Sequence, residues 1–478
     1  MNTPIRTRFA PSPTGFLHVG NVRAALFPWL VARQAGGTFV LRIEDTDRAR
    51  EVQGAIAVIH DTLNWLGITW DEGPDIGGPY APYLQTERTA SYQKWAKVLV
   101  EKGLAYADPY TAEEVHAFRD QAKAAKQPFL YRNHRPANPP EWDGTRPLRF
   151  KTPEIKSYSW HDAIMGDLSA GPEALDDFIL VKSDGLPTYN FAHIVDDYEM
   201  KITHVIRGLE YIASTPKYLS LYEALEFPVP ILAHAPHILA PDGKKKLGKR
   251  DGAKSILDYR AQGFLPEAML NFLASLGWND GTTQELFSRE ELLQKFSLDR
   301  VQRAGARFDE QRLIWMNGHY IRQLSLDDLY EKVADFWPPE AADRDETYKK
   351  QVLELVQERL KFFAELPELT AFFFYDLPID LELIFGNKQL KKVETAELRK
   401  LLETAVEVFL QSDFSKESIA AKLNLLLEMT GQKPGVLFSL IRVATTWSPA
   451  SPSLAETLAV LGKTTVLRRI AETLNALS

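Results

Sequence analysis

The sequence predicts an α/β protein whose first domain is split by an inserted domain and followed by an all-helical region. Three observations support this prediction. Strand and helix patterns alternate over residues 6–66, the alternation breaks over 71–175 and resumes after it, and only helical periodicity is evident beyond about 325. Alternating strands and helices are typical of a parallel sheet covered by helices.

The opening alternation begins with a short strand over 6–10. Apolar residues then recur at helical spacing over 20–34, and TFVLRI (38–43) is a second strand pattern before a helix over 49–66. The stretch 71–175 is rich in Pro, Gly and aromatic residues and has mixed periodicity, which indicates an insertion.

The alternation resumes with the strand patterns DFILVK (177–182), THVIRG (203–208) and PILAH (230–234). We therefore expect the two halves of the first domain to flank the insertion. Apolar residues recur at helical spacing within 352–363 and 398–409, with no strand pattern of similar strength nearby. The C-terminal third is therefore predicted to be helical.

Composition excludes several classes of protein. The 478 residues contain no cysteine, so disulfides and thiolate metal sites are excluded. The chain has no apolar run of the ~18 residues needed to span a bilayer, and MNTPIRTRFAP at its start lacks the pattern of a signal peptide. We expect a cytoplasmic protein with no membrane partner. The net charge of −8 argues against general nucleic-acid binding but permits a local basic surface.

The stretch PSPTGFLHVGN (11–21) lies between the first strand and the first helix. Helix N-termini attract phosphate groups, and glycine lets a ligand approach the backbone. His18 can donate a hydrogen bond to charge that develops on a phosphate. The alternative is a glycine-rich turn with an incidental surface histidine.

The stretch DGKKKLGKRDGAK (242–254) is strongly basic and follows the strand at 230–234. The carboxyl edge of a parallel sheet is where α/β folds bind ligands. Lysines at this edge can neutralise a pyrophosphate leaving group. The alternative is a solvated basic loop.

Together these two stretches resemble the HIGH and KMSKS signatures of class I aminoacyl-tRNA synthetases, here HVGN (18–21) and KLGKR (246–250). Asn21 and Gly248 depart from the generic signatures, and Leu209 stands where an acid is more usual. Further stretches resemble bacterial glutamyl-tRNA synthetase. They are RFAPSPTG, LRIEDTD (41–47), DEGPD (71–75), PLRFK (147–151), SDGLPTYNFAHIVDD (183–197), THVIRG (203–208), LPEAMLNFLASLGW (265–278) and RFDEQRLIWMNGHYI (307–321).

The resemblance implies a Rossmann-type catalytic domain with an inserted α+β domain, followed by an all-helical C-terminal region. We expect the catalytic domain at 1–75 and 186–240, an acceptor-end-binding insertion at 76–185, a stem-contact domain at 241–325 and a helical anticodon-binding region at 326–478. Bacterial glutaminyl-tRNA synthetase shares the catalytic motifs but has β-barrels at its C-terminal end, so the helical end favours the glutamyl family.

The resemblance implies a two-step ligation. ATP activates L-glutamate to glutamyl-adenylate, and the glutamyl group passes to the 3′ end of tRNA(Glu), and in some family members also of tRNA(Gln). Mg²⁺ accompanies ATP and is held mainly by its phosphates. No zinc is expected, since the zinc site of some members uses cysteines. We expect a monomer whose pyrophosphate exchange depends on tRNA.

Site residues follow from the positions that match the family motifs. Arginine suits bidentate carboxylate recognition, and Glu44 can bind an ammonium group. Catalytic roles fall on His18, Lys246, Lys249 and Arg250. Glutamate binding falls on Arg8, Ala10, Ser12, Glu44, Tyr189, His193 and Arg207. ATP binding falls on His18, Gly20, Asn21, Glu210, Leu239, Lys246, Leu247, Gly248, Lys249 and Arg250.

Three rival functions differ from this interpretation. An adenylyltransferase that binds no RNA would not need a helical region behind the catalytic loop, and a tRNA-binding protein with a dead site would lack His18, Lys246 or Lys249. The truncated relative that glutamylates a tRNA base lacks the anticodon-binding part. Gln357 and Glu358 lie near the position where discriminating relatives place an arginine, so we expect charging of both tRNA(Glu) and tRNA(Gln).

Overall fold

A computed structural model describes residues 4–248 and 254–478 of the chain. It divides into two compact units, Met1–Arg260 with Pro266–Glu310, and Ala261–Leu265 with Gln311–Ser478. The first unit has the predicted α/β character and the second is built from helices, so the predicted fold class is confirmed.

The first unit is built from short strands and helices. Its strands are β1 (Arg6–Phe9), β2 (Thr38–Leu41), β3 (Ala105–Ala107), β4 (Leu148–Phe150), β5 (Tyr158–Asp162), β6 (Gly166–Ala170), β7 (Ile179–Val181), β8 (His204–Gly208), β9 (Ile231–Ala235), β10 (Ile238–Leu239) and β11 (Ala306–Arg307). Its helices are α1 (Val19–Gln34), α2 (Ala55–Trp65), α3 (Thr89–Glu101), α4 (Ala112–Ala124), α5 (Tyr189–Glu199), α6 (Thr215–Leu225), α7 (Ile256–Ala261), α8 (Pro266–Ser275) and α9 (Arg289–Lys295).

Two parallel strand pairs, β1 with β2 and β8 with β9, lie side by side in this unit. The two pairs meet where the Thr203 N–H donates to the Arg6 carbonyl at 2.9 Å. The hairpin of β5 and β6 joins the far side of β9, where Asp162 pairs with Leu232. Strand pairs from both sides of the predicted insertion are therefore joined to each other.

Two predictions about the elements are corrected. The strand within 177–182 forms, but β7 pairs antiparallel with β4 in the separate sheet β3–β4–β7 instead of extending the parallel sheet. A short apolar run fits either kind of buried strand, and Phe178 and Leu180 pack in a core with Phe191. Helix α2 starts at Ala55 and not at 49, because Gly54 before it has a φ of +80°.

The second unit is helical. Its helices are α10 (Glu310–Gln323), α11 (Leu326–Lys332), α12 (Glu346–Val356), α13 (Leu366–Phe374), α14 (Glu382–Phe385), α15 (Thr395–Leu410), α16 (Lys416–Thr430), α17 (Pro434–Thr446), α18 (Leu454–Leu461) and α19 (Lys463–Ala476). The stretch 326–478 is described throughout and contains no strand. Its core contains Leu402, Phe409, Leu440 and Ile470, all fully buried. Helix α12 ends at Val356, so the predicted helical pattern over 352–363 extends past the helix.

Across the two described stretches of the chain, no helix combines the length and apolar character that crossing a membrane requires.

Candidate active site

A cavity of about 380 Å³ opens at the carboxyl ends of β1, β8 and β9. The carboxyl ends of parallel strands are the usual ligand position in open α/β folds. Most of the predicted site residues line this cavity. They are Arg8, Ala10, Ser12, His18, Gly20, Asn21, Glu44, Tyr189, Arg207, Glu210 and Lys246.

The remaining predicted residues lie elsewhere. His193, Leu239, Leu247 and Gly248 are not among the residues that line the cavity, although Leu239 and Leu247 belong to the hairpin beside it. Lys249 and Arg250 lie outside the described residues.

His18 caps helix α1 at the mouth of the cavity. Its Nδ1 accepts a hydrogen bond from the Gly20 N–H at 3.1 Å, and the Asn21 side chain accepts one from the His18 N–H at 3.2 Å. Because Nδ1 is an acceptor, the proton of the neutral ring is on Nε2. The residue that departs from the generic signature, Asn21, therefore closes a reciprocal cap that fixes the orientation of the ring.

Gly20 leaves room for this close approach of the His18 ring. A Cβ at position 20 would lie 3.0 Å from His18 Cε1 and 3.2 Å from His18 Nδ1. Any larger residue would push the imidazole away from the first turn of the helix. The glycine of the HVGN motif thus allows the histidine to lie over the helix N-terminus, where partial positive charge attracts phosphate.

Arg207, near the end of β8, is a buried cation whose hydrogen-bond partners are neutral. Its Nε donates to His234 Nε2 at 3.1 Å and its Nη1 lies 3.4 Å from His193 Nε2. The guanidinium also lies over the rings of Tyr211 and Tyr218, at 5.1 and 4.9 Å. Among the described residues, no carboxylate comes within 4.0 Å of it. An uncompensated buried cation on a cavity wall is suited to an anionic ligand.

His193 supports Arg207 from behind the cavity wall. Its Nδ1 lies 2.7 Å from the Tyr189 carbonyl, which can only accept, so Nδ1 has the proton and Nε2 accepts from Arg207. Burial, helped by the Arg207 charge, lowers the pKa of His193 to about 3. The ring is therefore neutral and leaves the charge of Arg207 intact.

Arg8 and Glu44 are held by a buried ion-pair network. Asp197 accepts from Arg8 Nε at 3.1 Å and from Arg42 Nη1 at 2.8 Å. Arg42, which is completely buried, also donates from Nη2 to Glu44 Oε1 at 3.2 Å and lies 3.6 Å from Asp196. The two arginines outweigh burial and hold the pKa of Asp197 well below its ordinary range. Asp197 therefore stays ionised and positions both cations.

Glu44 faces the cavity with an unusual protonation equilibrium. Burial raises the pKa of Glu44 to about 7, although Arg42 and Arg8 act to lower it. A bound cation would favour the ionised form. The cavity thus presents a buried arginine pair and a carboxylate to the same ligand.

The described part of the basic stretch lines the cavity through Lys246. Its first part folds back in a hairpin, in which the Leu247 N–H donates to the Ile238 carbonyl at 2.8 Å. Lys246 Nζ donates to Glu210 Oε1 at 3.2 Å, and His237 Nδ1 lies 3.6 Å from the same carboxylate. Burial acts to raise the pKa of Glu210, but a backbone N–H and Lys246 outweigh it and lower that pKa.

Sequence reasoning missed the residues that support this site. Arg42 and Asp197 lie within the motifs LRIEDTD and SDGLPTYNFAHIVDD, and a charged residue directly after the apolar strand TFVL signals a buried partner. Asp162 and His234 lie outside the cavity and were not anticipated. No signal in the sequence brings these two together.

Two family models match the chain. Residues 4–315 match the class I tRNA synthetase (E and Q) catalytic domain, and residues 328–474 match an anticodon binding domain. The fold and the site therefore define a class I aminoacyl-tRNA synthetase.

Similar proteins of known family show which kind of class I synthetase this chain resembles. A glutamate–tRNA ligase of Dehalococcoides mccartyi is 42% identical over 100% of this chain and 99% of the relative. One of Clostridium botulinum is 43% identical over 98% of each. The crystal structure of a glutamate tRNA ligase from Elizabethkingia meningosepticum, in complex with its amino acid, covers 100% of both chains with a TM-score of 0.91 at 34% identity. The chain belongs to the glutamate–tRNA ligase family.

Proposed function

We propose that this class I glutamate–tRNA ligase activates L-glutamate with ATP in the cavity described above and transfers it to tRNA(Glu). The observation that best supports the amino acid assignment is Arg207, a buried cation without a carboxylate partner among the described residues. Glutamate supplies a side-chain carboxylate to such a cation. Glutamine would supply an uncharged amide and leave a buried charge without compensation.

The glutamate pocket is proposed as follows. Arg207 and Arg8 bind the side-chain carboxylate, and Glu44 binds the ammonium group. Ala10, Ser12 and Tyr189 complete the wall around the same ligand. His193 acts indirectly, because it contacts Arg207 and does not line the cavity.

ATP is proposed to bind along the N-terminus of α1 and the hairpin of the basic stretch. His18 Nε2 can donate to the reacting phosphate, and Gly20 and Asn21 keep that ring in place. Lys246 exchanges its bond to Glu210 for the phosphates. Leu239, Leu247 and Gly248, together with Lys249 and Arg250, are assigned by motif position. Mg²⁺ enters with the ATP phosphates.

The chemistry needs no protein nucleophile. The α-carboxylate of glutamate attacks the α-phosphate of ATP, pyrophosphate leaves, and the terminal ribose hydroxyl of tRNA then takes the glutamyl group. Catalysis consists of positioning and of neutralising charge that develops on phosphate. One well-placed donor such as His18 contributes ~3–4 kcal/mol.

The parts that contact tRNA are also proposals. We assign 1–75 and 186–240 to catalysis, 76–185 to the acceptor end, 241–325 to the stem and 326–478 to the anticodon. The anticodon assignment agrees with the matched domain at 328–474. We further propose that the enzyme is a cytoplasmic monomer and binds no zinc.

The test of the pocket is Arg207→Ala, assayed by aminoacylation of tRNA(Glu). Removing one partner of a buried charge pair costs ~3–5 kcal/mol, so kcat/KM for glutamate should fall roughly 100- to 4000-fold. KM for ATP should not improve. The control is Arg33→Ala, which removes surface contacts with Asp71 and Thr69 away from the cavity. Near-normal kcat/KM for glutamate in the Arg207 variant would place Arg207 outside the pocket.

A second proposal is that tRNA(Gln) is also charged. The Gln357 amide donates to the Ile321 and Leu324 carbonyls at 3.0 and 2.9 Å, so it is withdrawn from base reading. Exposed Glu358 lies beside exposed Arg359. The test compares kcat/KM for the two tRNA transcripts. A ratio above roughly 1000, ~4 kcal/mol, would refute this proposal, and Arg359 would be the next residue to test.

A further inference from the structure

Two completely buried side chains lie directly behind Arg207. Asp162 ends β5 and His234 belongs to β9, and Asp162 Oδ2 lies 2.6 Å from His234 Nδ1. His234 Nε2 lies 3.1 Å from Arg207 Nε. A carboxylate only accepts and a guanidinium only donates, so His234 has its proton on Nδ1 and presents a lone pair to Arg207.

The Asp162 carboxylate is fixed in orientation by its other oxygen. Oδ1 accepts backbone N–H groups from Ile164 at 3.0 Å, Met165 at 2.9 Å and His234 at 3.2 Å. Only Oδ2 therefore faces the imidazole. The same three bonds would orient an asparagine at this position, with its amide oxygen toward the backbone and its NH₂ toward His234.

The protonation state agrees with this geometry. Burial lowers the pKa of His234, although Asp162 acts to raise it. Burial acts to raise the pKa of Asp162, but hydrogen bonds from His234 and the backbone outweigh it. A neutral imidazole thus separates an ionised carboxylate from the Arg207 cation.

We infer that Asp162 and His234 are positioning residues that make Arg207 selective for a carboxylate over a carboxamide. A carboxylate in direct contact with Arg207 would cancel its charge and favour a neutral side chain. If Arg207 had no partner at Nε, that N–H would be unsatisfied and the guanidinium would be free to rotate. The neutral imidazole holds the guanidinium in place and leaves its charge for the substrate. This inference rests on the proposed function of Arg207.

The decisive variant is Asp162→Asn, which preserves size and the three backbone bonds. Its NH₂ would donate to His234 Nδ1 and force the ring proton onto Nε2, where two donors then face each other at Arg207. Leaving such a donor unsatisfied should raise KM for glutamate roughly 10- to 100-fold. The kcat/KM ratio of glutamate to glutamine should fall, and KM for ATP should stay unchanged.

His234→Gln separates positioning from packing. A glutamine can donate to Asp162 and accept from Arg207, so we expect it to retain more glutamate selectivity than Asp162→Asn. A purely structural role predicts the reverse order, because asparagine is isosteric with aspartate and glutamine is not isosteric with histidine. The matched control is Asp167→Asn, which alters an exposed Asp–His pair on the same hairpin, 2.7 Å from His161, and should change nothing.

All variants are compared with the unaltered enzyme by aminoacylation of tRNA(Glu) and by ¹⁵N spectra of histidine-labelled protein. Failure of the unaltered enzyme to use glutamate would refute the proposed function itself. Normal charging, together with unchanged KM and selectivity in Asp162→Asn, would overturn only the positioning inference. A His234 proton on Nε2 in the unaltered protein would also overturn the positioning inference. This measurement does not depend on any variant folding.

Discussion

Lowering the pH from 8 to 6 should weaken glutamate recognition by protonating Glu44. Its pKa in the free enzyme is raised to about 7, and the ammonium group of the substrate needs the ionised form. A group of that pKa is about nine-tenths ionised at pH 8 and about one-tenth at pH 6. kcat/KM for glutamate, which reports on the enzyme before glutamate binds, should therefore fall about tenfold across this range.

The assay is the initial rate of aminoacylation at limiting glutamate, with ATP and tRNA saturating. Glu44→Gln is the matched variant, since its amide oxygen can still accept the bond from Arg42. Loss of the charged interaction, ~1.5–3 kcal/mol, should lower kcat/KM roughly 10- to 150-fold. The remaining kcat/KM of the Glu44→Gln variant should no longer fall between pH 8 and pH 6. A tenfold change that persists in Glu44→Gln, or its absence in the unaltered enzyme, would refute the assignment of Glu44 to the ammonium group.

Three further outcomes are expected. Gly20→Ala should displace the His18 ring and lower the single-turnover rate of adenylate formation by up to roughly 100-fold; an unchanged rate would show that the ring position is not needed. Asp197→Asn should lower the free energy of unfolding by ~3–5 kcal/mol in urea denaturation, because Arg8 and Arg42 lose a shared buried partner; an unchanged midpoint would contradict this. Pyrophosphate exchange with ATP and glutamate should be weak until tRNA is added, and strong exchange without tRNA would favour an RNA-free adenylyltransferase.

The elements of the parallel sheet were predictable because each leaves a local pattern. TFVLRI and THVIRG are short apolar runs with an arginine as their penultimate residue, and the structure has strands in both. The sequence pattern of DFILVK is equally strong, yet β7 belongs to an antiparallel sheet. Local pattern predicts that a strand exists but not which strand it pairs with.

The network behind the site could not be predicted, since it depends on pairs that are distant in sequence. Arg42 and Asp197 are 155 residues apart, and Asp162 and His234 are 72 apart. Asp162 reaches His234 only because the hairpin of β5 and β6 joins the parallel sheet beside β9. Arg42 and Asp197 lie in recognisable motifs, as do the residues facing the ligand, but which supporting residues pair with each other is set by topology alone.

The split sheet also has a consequence for synthesis on the ribosome. The backbone groups of Arg6 bond to Thr203, 197 residues later. At ~5–20 residues per second, roughly 10 to 40 s pass before the edge of β1 can meet β8. During that interval the nascent chain exposes the unpaired edge of β1 and the apolar face of α1, which are features that promote aggregation. Expression of this enzyme should therefore depend on chaperone capacity more strongly than its final stability suggests.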